Sequence, residues 1–188
     1  VGARRHVIED ATITTIAREG MRGLTHRAVD RTAGLPEGST SYYFRTREAL
    51  IFAAVTRMAE LDRRDVGELP ELGGVADLDR LTMLLTALVR LWLGPGRDRS
   101  LARYELTLES TRRPELRQQM RRFGTTFRLM AEKVLTEAGA GEPARRGKAL
   151  VSYLDGLMIH QLTQVGAGEL TEEELQAACR DLLVMALA

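Results

Sequence analysis

The chain has 188 residues, 44% hydrophobic and 28% charged, which is ordinary globular composition with length for one large or two small domains. No apolar run reaches the ~20 residues of a membrane-spanning helix, and the lone Cys179 excludes an internal disulfide framework and suits a reducing compartment. The formal net charge of +1 does not itself announce a nucleic-acid partner, although residues 1–50 carry eight Arg against six Asp and Glu.

Residues 4–19 read as the first helix, with Val7, Ile8, Ala11, Ile16 and Ala17 along one stripe and charged residues opposite. Arg4 and Arg5 precede an amphipathic pattern, not the apolar core of a signal peptide, so a cytoplasmic location is expected. Gly20 and Gly23 bracket the exit of this helix, and Met21 and Leu24 plug the bend. Thr25 is a good N-cap, because its hydroxyl accepts an orphan amide of the first turn. Residues 26–33 then form a short helix with Val29 and Ala33 on one face. Gly34 takes the left-handed position that ends it, and Leu35 plugs the turn. Pro36 suits a helical first turn, so the next short helix is placed at 37–44. Thr46 caps a long helix from Glu48 to about Arg64, with Leu50, Ile51, Ala54, Val55, Met58 and Leu61 as its apolar face.

Residues 66–75 are the first real break, with Pro70, three glycines and few large apolar residues. Asp77 caps a helix over 78–93, which Gly94-Pro95-Gly96 stops. A helix over 99–111 carries Leu101, Tyr104 and Leu108. Pro114 starts the next, to about Glu137, with Leu116, Met120, Phe123, Phe127, Met130 and Val134 at helical spacing. The last two helices are placed at 143–165 and 171–187, and Thr171 with Glu174 forms a capping box. There is no strand pattern, internal repeat or low-complexity tract.

Two short helices joined by a Gly-containing turn make a helix-turn-helix, whose second helix enters the major groove of DNA. Here that helix is small and polar, from Glu37 to Thr40, followed by Ser41, Tyr42 and Tyr43. Hydroxyl side chains let the backbone approach and bond bases or phosphates. Ala33-Gly34-Leu35-Pro36-Glu37-Gly38-Ser39, then Tyr43-Phe44, then Arg47-Glu48-Ala49-Leu50 resembles the signature of the TetR family of transcriptional repressors, without a gap. The resemblance covers about the first 50 residues; beyond them only the helical layout is similar.

The resemblance implies that Thr25, Arg27, Tyr43 and Arg47 grip phosphates beside the recognition helix. Glu37, Ser39, Thr40 and Tyr42 are the candidate base readers, and His26 and Gly38 complete the DNA-binding set. Two positions depart from the family pattern. Ser41 stands where a tyrosine is usual, so a phosphate contact is lost there or moved to Tyr42. Asp30 stands where a small alanine is usual, with Ser39, Thr40 or backbone amides of the recognition helix as its possible partners.

No metal or cofactor site is expected, because His6, His26 and His160 are far apart and no His, Cys and Asp cluster has ligand spacing. Cys179 lies on an apolar face and reads as a small packing residue, not a nucleophile. No glycine-rich phosphate loop is present, and no enzyme is expected. Trp92, Tyr104, Phe123, Phe127, Met130, Tyr153 and Met158 are large residues from four helices. They read either as core or as the wall of a small-molecule pocket. In the pocket reading Thr107, Asp155 and Gln161, with Glu105, Glu109 and His160, supply its polar groups.

The expected protein is thus all-α, with about nine helices. Residues 1–47 form a three-helix DNA-binding domain and residues 48–188 a helical bundle for effector binding and dimerisation. It acts as a repressor on a palindromic duplex operator, released by a small-molecule effector. The homodimer forms through the last two helices, where Leu150, Leu154, Leu157, Leu162, Leu175, Leu182, Leu183 and Leu187 exceed what one face needs. The rival expectation is an all-α ligand carrier or adaptor without an operator.

Overall fold

A computed structural model describes residues 2–68, 77–164 and 168–188, and among these there are nine α-helices and no strand. The all-α expectation holds. The helices are α1 (Gly2–Gly23), α2 (His26–Ala33), α3 (Ser39–Tyr43), α4 (Arg47–Gly67), α5 (Leu78–Leu93), α6 (Arg97–Glu109), α7 (Pro114–Glu137), α8 (Pro143–Thr163) and α9 (Glu172–Leu187). Most of the break expected at 66–75, and the helix end expected at Val165 with Gly166, lie outside the described residues. The chain groups into two compact units, Val1–Arg64 with Pro95–Phe123, and Asp65–Gly94 with Gly124–Ala188.

In the first unit α1 kinks at Gly20 (φ 66°, ψ −178°), a conformation natural only to glycine. Its buried stripe is Ile8, Ala11, Thr12, Thr15 and Ile16. Val7, expected on that stripe, is exposed, because the buried face is rotated toward the two threonines. Their hydroxyls are satisfied locally: Thr12 donates to Ile8 O at 2.7 Å and Thr15 to Ala11 O at 2.8 Å. In α4, Leu50, Ile51, Ala54 and Met58 are buried as expected. Arg57 ties α4 to α1 through two bonds to Asp10, at 2.8 and 3.2 Å. Near the end of α4, buried Asp62 pairs with Arg99 Nε at 2.8 Å. This ion pair has no signature in the apolar periodicity. α6 packs on α1 and buries Ala102 and Leu106, whereas Leu108, expected on its apolar face, is 65% exposed. The stripe that α6 buries is the neighbouring one.

In the second unit α9 packs on α5 and α8. Its N-terminus carries the expected capping box: Thr171 Oγ1 accepts from Glu174 N, and Glu174 Oε2 accepts from Thr171 N. Leu81, Leu135, Leu150, Leu183 and Ala186 form one buried cluster. The expected surplus of leucines is therefore partly spent inside: Leu150, Leu162, Leu175 and Leu183 are buried within this unit. The large apolar side chains that α8 and α9 leave exposed are Tyr153, Val184 and Met185. α8 meets α7 at Gly147, where the backbones of Ala131 and Glu132 leave no room for a side chain. Cys179 is fully buried, and burial pushes its thiol upward although the Thr86 hydroxyl partly offsets this. Both features suit packing and not reactivity.

Candidate nucleic-acid interface

The interface is built on α2. Thr25 Oγ1 accepts from Ala28 N at 3.1 Å and starts the helix. The helix stops at Gly34 (φ 63°) in a Schellman arrangement, with Leu35 N donating to Asp30 O at 2.9 Å and Gly34 N to Arg31 O at 3.2 Å. The chain then turns through Pro36 and Glu37, and Gly38 takes φ 91°. α3 consequently begins at Ser39, two residues later than the Pro36 signal suggests. A left-handed Gly38 breaks the regular right-handed path, so the helix starts after it. Ser39 Oγ donates back to Pro36 O at 2.7 Å and closes the turn. Phe44, extended and buried, ends α3, and Thr46 Oγ1 caps α4 by accepting from Ala49 N at 3.0 Å.

Asp30 is the centre of the motif. Its Oδ2 accepts from Gly38 N at 2.8 Å; its Oδ1 accepts from Thr40 N at 2.7 Å and from Thr40 Oγ1 at 2.5 Å. Of the partners left open by the sequence, these are the ones used. Burial pushes the Asp30 carboxyl upward, but the Thr40 hydroxyl, the Thr40 and Gly38 amides and nearby His26 outweigh that. The group therefore lies below the ordinary value of 3.8. At the other end of α3, His26 Nε2 lies 2.7 Å from Phe44 O. A carbonyl only accepts, so this nitrogen carries the proton.

The expected DNA-binding residues divide by exposure. Thr25, Arg27, Glu37, Gly38 and Tyr42 are exposed. Arg27 and Glu37 form an ion pair across the turn, and Tyr42, 79% exposed, meets the Tyr43 ring edge-on at 5.2 Å. His26, Ser39, Tyr43 and Arg47 are half-buried. Thr40 is fully buried with its hydroxyl committed to Asp30, which leaves it supporting α3 from within. Arg47 donates from Nε to Leu24 O at 3.1 Å and from Nη2 to Met21 O, so its guanidinium braces the exit of α1. Sequence reasoning passed over Arg5, whose guanidinium sits 4.6 Å from the Phe44 ring centroid and pairs with buried Glu9 at 3.1 Å. The i, i+4 spacing of Arg5 and Glu9 was the available signal.

The residues expected to line an effector pocket fall in both units. Tyr104, Thr107 and Phe123 belong to the first. The Arg103 guanidinium lies 5.3 Å from the Tyr104 ring centroid, and the Thr107 hydroxyl donates to Arg103 O at 2.8 Å. In the second unit buried Trp92 meets Phe127 edge-on at 5.5 Å and 90°. Met158 is buried, Met130 half-buried and Asp155 exposed. Gln161 Oε1 accepts from Leu170 N at 3.0 Å and so ties the approach to α9. Among the described residues, no group of three His, Cys, Asp or Glu is placed to hold a metal ion, and no helix is long and apolar enough to cross a membrane.

A family model described as Tetracyclin repressor-like, C-terminal domain, matches residues 76–187, more than half of the chain. Among solved structures, the multidrug binding protein EbrR complexed with ethidium is 30% identical, with 95% of this chain and 98% of that one covered and a TM-score of 0.70. A member of the TetR family from Streptomyces coelicolor A3 is also 30% identical, with 95% and 97% covered and a TM-score of 0.72. A TetR-family structure from Rhodococcus sp. spans 100% of both chains at 24% identity and a TM-score of 0.76, a likeness of fold. No curated protein matches the chain in sequence.

Proposed function

The chain belongs to the TetR family of transcriptional regulators, and on that premise we propose that it is a repressor of a palindromic operator, released by a small-molecule effector. The observation that carries the DNA-binding half is the presentation of α3. Tyr42 projects from it, and Arg27 and Glu37 flank it on an exposed face. Residues 1–47 are the DNA-binding part and residues 48–188 the effector and dimerisation part. Thr25 and Arg27, at the N-terminus of α2, and Tyr43 are the proposed phosphate contacts. Glu37, Ser39 and Tyr42 are the proposed base readers, and Thr40 serves through its contact with Asp30.

A five-residue recognition helix reads few base pairs, so useful specificity needs two copies on half-sites about 34–36 Å apart or a multiple of that. α8 and α9 are the proposed pairing surface, through Tyr153, Val184 and Met185. An effector acts by preferring the arrangement that misplaces the two recognition helices. EbrR with ethidium supports a planar aromatic cation as the effector class, and Trp92, Phe127, Met130 and Met158 would supply its apolar, polarisable wall. The proposed setting is the cytoplasm.

The experiment is selection of bound sequences from random duplexes, followed by titration of the enriched duplex with and without ethidium. A palindromic consensus bound with a steep salt dependence supports the reading. The absence of any enriched sequence, with ethidium still bound, replaces it by the carrier reading.

A further inference from the structure

We propose that Asp30 and His26 form a two-ended clamp from α2 that sets the pose of α3, which makes Asp30 a positioning residue for base discrimination. The inference rests on the DNA-binding reading above. A helix of five residues does not hold its own geometry in water. Its early amides have no intrahelical acceptors, and Gly38 has no side chain with which to cap them. The acceptors come instead from a neighbouring helix. One Asp30 oxygen takes Gly38 N, and the other takes Thr40 N together with the Thr40 hydroxyl. His26, one turn before Asp30 on the same face of α2, holds the far end through Phe44 O. α3 is thus fixed at both ends to a single helix, and its pose follows that of α2.

The clamp has a second effect. Free amides at a helix N-terminus attract phosphate. Here the Gly38 and Thr40 amides are occupied by a buried carboxylate, so α3 cannot seat a phosphate on them. Its N-terminal end is left for base edges, and phosphate gripping falls to Thr25, Arg27 and Tyr43. A negative charge beside a polyanion is tolerable because three donors surround it. Removing it therefore has opposite consequences for specific and non-specific binding. The pose of α3 is loosened, which weakens base reading. The amides are released and one negative charge is lost, which favours the DNA backbone.

The test compares wild type, Asp30→Ala and Asp30→Asn on the selected operator and on a random duplex, across a salt series. Circular dichroism and urea midpoints verify the fold of each variant. Asp30→Ala is expected to lose tenfold or more of the operator-over-random affinity ratio, while random-duplex affinity stays equal or rises. Asp30→Asn keeps one acceptor and loses the other, so it should fall between the two; it also decides the matter if Asp30→Ala does not fold. A folded variant with the wild-type ratio overturns the clamp. An equal fall in operator and random-duplex affinity also overturns it, because Asp30 is then only a stability residue. A wild type that enriches no duplex overturns the DNA-binding reading itself, and the positioning role with it.

Discussion

Replacing Gly147 by Ala tests the contact between α7 and α8. In an open helix interior this change is stabilising, because alanine is favoured over glycine by ~0.8–1.0 kcal/mol. At Gly147 a Cβ would lie 2.9 Å from Glu132 N, 3.2 Å from Glu132 Cα and 3.3 Å from Ala131 C. All three atoms are backbone, so no rotamer change relieves the contact and α8 must move off α7. Overpacking of this kind costs ~1–3 kcal/mol. The net expectation for Gly147→Ala is a loss of about 0–2 kcal/mol. Gly124, exposed in α7 with nothing within 4 Å, is the internal control. There the same substitution should gain ~0.5–1 kcal/mol. Urea denaturation of both variants, compared at unchanged m, should separate their stabilities by ~1–3 kcal/mol. Gly147→Ala as stable as Gly124→Ala would refute the reasoning and mean that the two helices are free to part.

Arg47→Ala should lower stability by ~1.5–3 kcal/mol, since a charged donor to two carbonyls is lost. The salt slope of operator binding should not change, and a slope smaller by about one would return Arg47 to the phosphate contacts. Glu37→Ala should relax one operator position by ~1–3 kcal/mol in competition against single-base variants. Its exposed pair with Arg27 is worth little in stability, so an altered urea midpoint with intact selectivity would count against base reading. Val184→Asp combined with Met185→Asp should sediment as a helical monomer; a persisting dimer places the interface elsewhere. Leu183 does not serve in that experiment, because at 3% exposure its replacement reads out folding. The Asp30 carboxyl is lowered in the folded state, so its stabilisation is present above the ordinary value of 3.8 and is lost as pH falls through the folded value. The midpoint difference between wild type and Asp30→Asn should accordingly be greatest near neutrality and shrink in acid; a difference that grows as pH falls contradicts the assignment.

Helix ends were the most legible feature of the sequence, because they depend on residues within a turn of each other. Thr25, Gly34, Thr46, Asp77 and Thr171 each cap or stop the helix expected of them. The start of α3 was not legible. Pro36 is a sound local signal, but the outcome depends on a carboxylate eight residues before Gly38. Helix faces were half legible. Periodicity gives a stripe but not which of two adjacent stripes meets a neighbour, hence the exposure of Val7 and Leu108 and the burial of Ala102. The expected DNA-binding residues lie together around α2 and α3. Which of them point outward depended on Asp30 and Arg47 choosing partners inside the protein.

The anchoring of α3 to α2 also bears on how the motif opens. The Thr40 amide hydrogen has its acceptor on a side chain of α2, not in the preceding turn of its own helix. It therefore exchanges with solvent deuterium only when the two helices separate, and fraying of α3 alone does not release it. Its protection should match that of the Val29 amide, which Thr25 O holds within α2. The two short helices thus form one cooperative unit, and the rate at which DNA-reading geometry is lost and regained is the opening rate of that unit.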